Sequence, residues 1–499
     1  MQSTPLGEWL LQSGNPRASG GPPLHRWLFE SIREAIQAGR IRKGQKLPAT
    51  RALAAELGVA RITATQAYER LVAEGYLVSK VGAGTFVADM EPDPIPWVAA
   101  QQAQTRRTLP SRFTPSRNAQ MVLNRLGASS RQVGPFTPGI PDVRHFPHAL
   151  WQRLLTRAGR SRDESISGYG ATHGLLALRR ALVDYLGLAR GVRCDADQII
   201  ITQGAHQAID LCIRAICNPA DTVWIEDPSY WGARNLFVIN SMRIRALPVD
   251  ARGMRPPATS PRPRPRMIFV TPSHQYPSGV VMSLARRNLW LDLAARYNAY
   301  IVEDDYDSEF RYREAPLPSL QGLDRLGRTL YVGSFSKTLY PGLRLGFVVA
   351  PPALAPTLAV LHSELYRGGQ LTMQAALAEF IAGGHFASHV RKMRRVYAER
   401  QAVLAESLIA RLGGAVTVPS DPAGLHLAVT LHDARDDAVS EAAAALDLVA
   451  RPLSLYYRNP QTSPQGLVLG FGGIEAADID AAVVRLARAV EFARVRLTA

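Results

Sequence analysis

Lys337 lies in the string Ser334-Phe335-Ser336-Lys337-Thr338-Leu339-Tyr340-Pro341-Gly342-Leu343-Arg344-Leu345-Gly346-Phe347. Small hydroxyl residues surround its amine, and a guanidinium follows at Arg344. This grouping suits an aldehyde that carries a phosphate. The amine can form a Schiff base with the carbonyl, while Ser334, Ser336 and Arg344 hold phosphate oxygens. A lysine alone carries no such meaning, because most lysines are solvated surface charges.

Other segments extend the same chemistry. In Val302-Glu303-Asp304-Asp305-Tyr306-Asp307, carboxylates follow an apolar run. A pyridoxal ring acts as an electron sink only while its nitrogen stays protonated, which a neighbouring carboxylate favours. Tyr306 can donate to the ring phenolate. Thr202-Gln203-Gly204-Ala205-His206-Gln207 stands between a strand and a helix. Free amides at such a helix start bind phosphate, and Gly204 permits close approach. Glu226-Asp227-Pro228-Ser229-Tyr230 offers a ring able to stack on a flat heterocycle. Thr271-Pro272-Ser273-His274-Gln275-Tyr276-Pro277-Ser278-Gly279 follows a further strand and walls the site, and Tyr169 is placed to send its hydroxyl across a dimer interface. Each segment alone has a plain alternative: a solvated acid cluster, an ordinary turn, a core tyrosine. Their order along the chain is what carries the reading.

A scaffold must bring these segments together. From Gly134 onward, short apolar runs alternate with helical stretches: Ile199-Ile200-Ile201, Thr222-Val223-Trp224-Ile225, Met267-Ile268-Phe269-Val270, Tyr300-Ile301-Val302 and Thr329-Leu330-Tyr331-Val332. Such runs fit strands buried on both faces of a mainly parallel sheet, an α/β architecture.

The N-terminal part is organised differently. Leu24, Leu28, Ile32 and Ile36 recur at helical spacing up to Gly39; Thr50 can cap a second helix carrying Leu53 and Leu57; a third runs from about Arg61 to Glu74. Two short β-type runs follow, around Gly82. The pattern predicts a winged helix-turn-helix. Its third helix begins Ala60-Arg61-Ile62-Thr63-Ala64-Thr65-Gln66, the mixture of guanidinium, hydroxyl, amide and apolar groups that reads base edges. Arg51 is suited to a phosphate, and Lys80 and Gly82 to the minor groove. Small winged helices also mediate protein contacts, so this pattern by itself leaves both uses open.

The chain has 499 residues, 46% hydrophobic and 20% charged, enough for about three globular units. Its net charge of +16 is spread along the chain and is weak evidence for nucleic acid. Cys194, Cys212 and Cys217 match no metal spacing and form no disulfide framework. We expect no signal peptide and no membrane span, and so a soluble cytoplasmic protein. The expected organisation is a tail over 1–20, the winged helix over 21–88, a flexible basic linker over 89–133 and the sheet domain over 134–499.

The string LPATRALAAELGVARITATQAYERLVAEGYLVSKVGAGTFV resembles the GntR-type winged helix. From Gly139-Ile140-Pro141-Asp142 to the C-terminus the chain resembles class I aminotransferases of pyridoxal-phosphate fold type I, with a mainly parallel large domain and a smaller α+β domain. The whole resembles the MocR-type subgroup of GntR regulators. That resemblance implies DNA contacts at Arg51, Arg61, Thr63, Thr65 and Gly82. It makes Lys337 the Schiff-base lysine, Asp304 the partner of the ring nitrogen, Tyr306 the phenolate contact and Tyr230 the stacking ring. Gly204, Ala205, Ser334, Ser336 and Arg344 become the phosphate cradle. It further implies a homodimeric regulator of operator DNA that holds pyridoxal 5'-phosphate and senses a small amine, an amino acid or the cofactor. The alternative is an active aminotransferase carrying a DNA-binding head.

Two departures bear on that choice. Aminotransferases carry asparagine where this chain has Tyr276, and a substrate-binding arginine where it has Val468. Arg234, Arg451 and Arg458 are candidate substitutes. The missing guanidinium argues against efficient turnover of ordinary amino acids, because a buried carboxylate without a partner is costly.

Overall fold

A computed structural model describes residues 5–12, 23–80, 82–89, 114–123, 133–168, 172–259, 262–312, 317–420 and 423–498. The chain divides into two compact units, Met1–Phe113 and Thr114–Ala499.

In the first unit, helices α1 (Pro5–Gln12), α2 (Leu24–Gln37), α3 (Thr50–Glu56) and α4 (Arg61–Ala73) precede a hairpin of β1 (Leu77–Lys80) and β2 (Gly84–Val87). The hairpin is antiparallel, with Leu77 opposite Val87. Leu28 and Ile32 of α2, Leu53 of α3, and Ala64, Tyr68 and Leu71 of α4 share one buried core, as their helical spacing predicts. The start of α3 differs from expectation. Thr50 is its first helical residue, Ala49 occupies the cap, and no side chain bonds there.

The second unit is built on an eight-stranded sheet ordered β3-β10-β9-β8-β7-β4-β5-β6. Its strands are β3 (Ile199–Thr202), β4 (Thr222–Asp227), β5 (Arg243–Asp250), β6 (Gly253–Met254), β7 (Met267–Val270), β8 (Tyr300–Asp305), β9 (Thr329–Ser334) and β10 (Gly346–Val349). Strands β9, β8, β7, β4 and β5 run parallel, and β10 runs antiparallel between β3 and β9. All five apolar runs read from the sequence are strands here. Strand β5 went unread because Arg243 and Arg245 break the apolar pattern of a strand that is only partly buried. A second, antiparallel sheet has the order β11-β12-β14-β13, with β11 (Val416–Thr417), β12 (His426–Leu431), β13 (Arg451–Pro452) and β14 (Gly466–Gly470). Its core includes Leu427, Val429, Leu467 and Leu469, packed with Leu404 and Leu408 of the long helix His385–Leu412.

Part of the span expected as a linker is ordered. Arg117–Leu123 forms a helix of the second unit, and Asn118 Nδ2 donates to Ile239 O at 3.0 Å and to Ser241 Oγ at 2.8 Å. Among the described residues, no helix is long and apolar enough to cross a membrane.

Candidate functional site

The C-terminal ends of the parallel strands open onto one cavity of about 640 Å³, the usual place for a ligand in an open α/β sheet. Strand β4 leads to Tyr230, β7 to Tyr276, β8 delivers Asp304 and Tyr306, and β9 ends at Ser334. Ser336, Lys337, Ala205 and Arg344 line the same space. Thus nearly every cofactor residue expected from the sequence meets the others here. Tyr169 lies outside the described residues.

Lys337 is half-buried, and its Nζ donates to Gly139 O at 2.7 Å. Burial lowers its pKa against the opposing charges of Asp307 and Asp304, which favours the neutral, nucleophilic amine. Gly139 has φ +72°, and a Cβ there would stand 2.7 Å from Nζ.

Strand alternation separates the adjacent acids. Asp305 accepts from Arg190 Nε at 2.7 Å and from Tyr331 OH at 2.6 Å, away from the cavity. Glu303 accepts from the amides of Leu320 and Gln321. Asp304 faces the cavity, buried, and its Oδ1 has no hydrogen-bond partner. Burial, then the charges of Asp305, Asp307 and Glu226, push its pKa up to about 7. A buried carboxylate oxygen with no donor is costly, so this acid is suited to a cationic N–H from a ligand.

Tyr306 is supported from behind. Its hydroxyl lies 3.0 Å from His274 Nδ1, which is also 3.0 Å from Asp307 Oδ1. Because Asp307 accepts, Nδ1 carries the proton, and the Tyr306 oxygen is a second acceptor for it. The phenol proton of Tyr306 is then available to a ligand. Tyr230 is held similarly: its hydroxyl is 2.6 Å from His206 Nε2, and a Cβ on Gly232 would reach both groups at 2.6 Å or less.

The opposite end of the cavity is made for an anion. Gly204 caps the helix Ala205–Ile216 with φ +89° and ψ 173°, a conformation open essentially to glycine alone. Arg344 Nη2 donates to Gln203 O at 3.1 Å, and its guanidinium passes 3.7 Å from the Cβ position of Gly204. Ser334 Oγ accepts from Ser336 N at 3.2 Å. Helix amides, two hydroxyls and a guanidinium thus converge, as a phosphate requires.

Several contributors had not been assigned a role from the sequence: Gly139, His206, His274, Asp307 and His426. All but His426 stood in quoted motifs, yet no spacing pairs His274 with Asp307 or His426 with the cavity. His274, Asp307 and His426 lie close enough to share an ion. However, His426 Nε2 is 2.9 Å from Pro277 O, and His274 Nδ1 is held by Asp307.

In the first unit, Arg51, Arg61, Lys80 and Gly82 are exposed, and Thr63 and Thr65 half-exposed. Ile62 at the start of α4 is 61% exposed, beside the exposed Arg61. Thr65 Oγ1 donates to Arg61 O at 3.0 Å, so its hydroxyl meets an outside partner as an acceptor. Lys80 Nζ and Lys46 Nζ lie 5.5 Å and 5.8 Å from the Phe86 ring centre, which adds Lys46 to the cations of the wing.

A winged helix in the same chain as a pyridoxal-phosphate fold type I domain defines a class of transcription regulator. Residues 25–87 match the bacterial regulatory proteins of the gntR family, and residues 142–472 match aminotransferase class I and II. The chain is 40% identical over 456 residues to the probable rhizopine catabolism regulatory protein MocR of Rhizobium meliloti, covering 91% of each chain. It is 31% identical over 452 residues to the pyridoxine biosynthesis transcriptional regulator PdxR of Corynebacterium glutamicum, covering 89% of this chain and 91% of that one. Among solved structures, the α-aminoadipate aminotransferase LysN of Thermus thermophilus aligns with a TM-score of 0.66 at 25% identity, over 76% of this chain and 95% of that one. The chain belongs to the MocR-type subgroup of GntR-family DNA-binding transcription regulators.

Proposed function

We propose that the cavity holds pyridoxal 5'-phosphate and that the protein, as a homodimer, uses it to sense a small amine and adjust its grip on operator DNA. The observation that carries this reading is the Asp304 oxygen without a donor, in the same cavity as Lys337 and the Ser334–Ser336–Arg344 cradle. When bound, the cofactor supplies an aldehyde carbon that exchanges one amine for another.

The chain's own groups then divide the work. Lys337 is the amine that retains the cofactor, steadied by the Gly139 carbonyl. Asp304 keeps the ring nitrogen protonated, and its pKa falls as it gains that cation. Tyr306 donates to the phenolate oxygen, oriented by the Asp307–His274 pair, and Tyr230 stacks on the ring with its hydroxyl fixed by His206. Gly204, Ala205, Ser334, Ser336 and Arg344 bind the phosphate, with Tyr169 contributing across the dimer. An effector amine competing with Lys337 would signal through its differential affinity for two arrangements of the dimer. In the winged helix, Arg61, Thr63 and Thr65 read bases, while Arg51, Lys80 and Gly82 meet the backbone and minor groove.

Borohydride reduction of cofactor-loaded protein, followed by peptide mapping, should label Lys337. An unlabelled Lys337 peptide would sink the reading. The competing reading, a working aminotransferase, draws on the gathering of Asp304, Tyr306, Ser334, Ser336, Lys337 and Arg344 around one cavity. Repeated turnover of an amino acid with a keto acid would establish it, whereas a spectral change that stops after one equivalent supports the sensor.

A further inference from the structure

Arg234 and Arg458 do not line the Lys337 cavity. They line a second one, of about 510 Å³, within the size usual for small-molecule sites. Three elements build it. Parallel pairing sets Ile225 of β4 beside Ala246 of β5, and strand alternation turns Asp227 and Ile244 to the same face. In the helix Trp231–Ile239, the residues Trp231, Arg234, Asn235 and Val238 recur at helical spacing and border the same space. Leu455, Tyr457 and Arg458 close one side.

Among the described residues, this lining sets two guanidiniums against one carboxylate, Asp227, which favours an anion. Arg234 donates to the carbonyls of Tyr457 and Leu455, each at 3.2 Å, and is thereby fixed between helix and loop. Arg458 N donates to Asp227 Oδ1 at 2.9 Å, and Arg458 itself is exposed, so its charge stands at the mouth. The rest of the wall is apolar. Trp231 and Tyr457 supply rings, and Met121 and Met242 supply thioethers that adapt to irregular shapes. Met121 belongs to the helix Arg117–Leu123, held to this unit through Asn118. Trp231 also lines the Lys337 cavity, so the two spaces share a wall.

We propose that this second cavity binds a small apolar carboxylate, its acid on Arg234 and Arg458 and its body against Trp231, Tyr457 and the sheet face. The ligand needs no amine, because Lys337 lies in the other cavity. It also touches Met121, so the helix Arg117–Leu123 forms part of the site. The proposal goes beyond the cofactor reading and stands without it.

The test measures binding heats of phenylacetate, and of its neutral counterpart phenylacetamide, on the full-length protein with and without pyridoxal phosphate. Phenylacetate should bind saturably, about tenfold or more tighter than the amide, and equally in both conditions. Arg458→Gln should weaken it about tenfold, and Met121→Ala about threefold. Both residues are exposed, so neither variant threatens the fold. No saturable binding, equal affinity for the amide, or an Arg458→Gln protein with undiminished affinity would overturn the site. Displacement by pyridoxal phosphate would put the acid in the Lys337 cavity and overturn it too. An unchanged affinity in Met121→Ala would remove the helix Arg117–Leu123 from the site.

Discussion

The two units arrange their polar groups in opposite ways. In the winged helix the guanidinium of Arg61, the Ile62 side chain and the amine of Lys80 stand in solvent, within one short stretch of chain. In the second unit Asp304, His274, Asp307 and His426 are buried, and they come from β7, β8, β12 and the loops after them. A surface that meets a polyanion needs little preparation, because salt and water screen its charges until the partner arrives. A cavity that discriminates among small molecules must hold polar groups away from water, and burial raises the pKa of Asp304 and lowers that of His426 as a record of that cost. One unit presents its polar groups to solvent, and the other preorganises them in a buried cavity.

Substitutions should separate the two. Lys337→Ala has the largest expected effect, a loss of cofactor affinity of roughly 1000-fold together with the visible absorbance. DNA binding without effector should stay within about twofold; a large loss of it would show that the reading head depends on the loaded cavity.

Next comes the pH dependence of the cofactor-free protein. The folded pKa of Asp304, about 7, lies above its ordinary value of 3.8, so the folded chain holds this proton more tightly than the unfolded one. The associated stability is complete below pH 3.8 and lost as pH rises towards 7, about 4 kcal/mol in full. Denaturation midpoints between those limits should fall with pH, and Asp304→Asn should flatten the trend by that residue's share. Cofactor loading should remove the same share. An unchanged slope in the variant would mean that Asp304 is already charged at low pH.

Arg61→Ala should weaken operator binding by roughly 5- to 150-fold and leave the cofactor spectrum intact. A loss that is identical on unrelated DNA would make Arg61 a phosphate contact rather than a base contact. Gly232→Ala should press on the Tyr230–His206 pair and cost about tenfold in cofactor affinity. Retained affinity would show that Tyr230 does not need that bond. Thr65→Val should be the smallest, about threefold in operator affinity, because the hydroxyl proton is already committed to Arg61 O.

Much of the second unit was legible because buried parallel strands are written as continuous apolar runs, and all five read as strands. Strand β5 was not, since partial burial let arginines into it. The helix Arg117–Leu123 was hidden among prolines and arginines, because its docking on Ile239 and Ser241 is long-range.

Local rules in the sequence alone determined the winged helix, the strand-to-loop positions of the residues proposed to hold the cofactor and the absence of an arginine at 468. Glycines, caps, helical spacing and motif order act over a few residues and can be read in one dimension. The resemblance already pointed to Asp304 over Asp305, but only the tertiary structure showed that Asp304 faces the cavity while Asp305 turns to Arg190 and Tyr331, that His274 and Asp307 stand behind Tyr306, and that Arg451 lines the wall. Those outcomes depend on strand register and on the folding of distant segments against one another, where a shift of a single residue would turn each side chain to the opposite face.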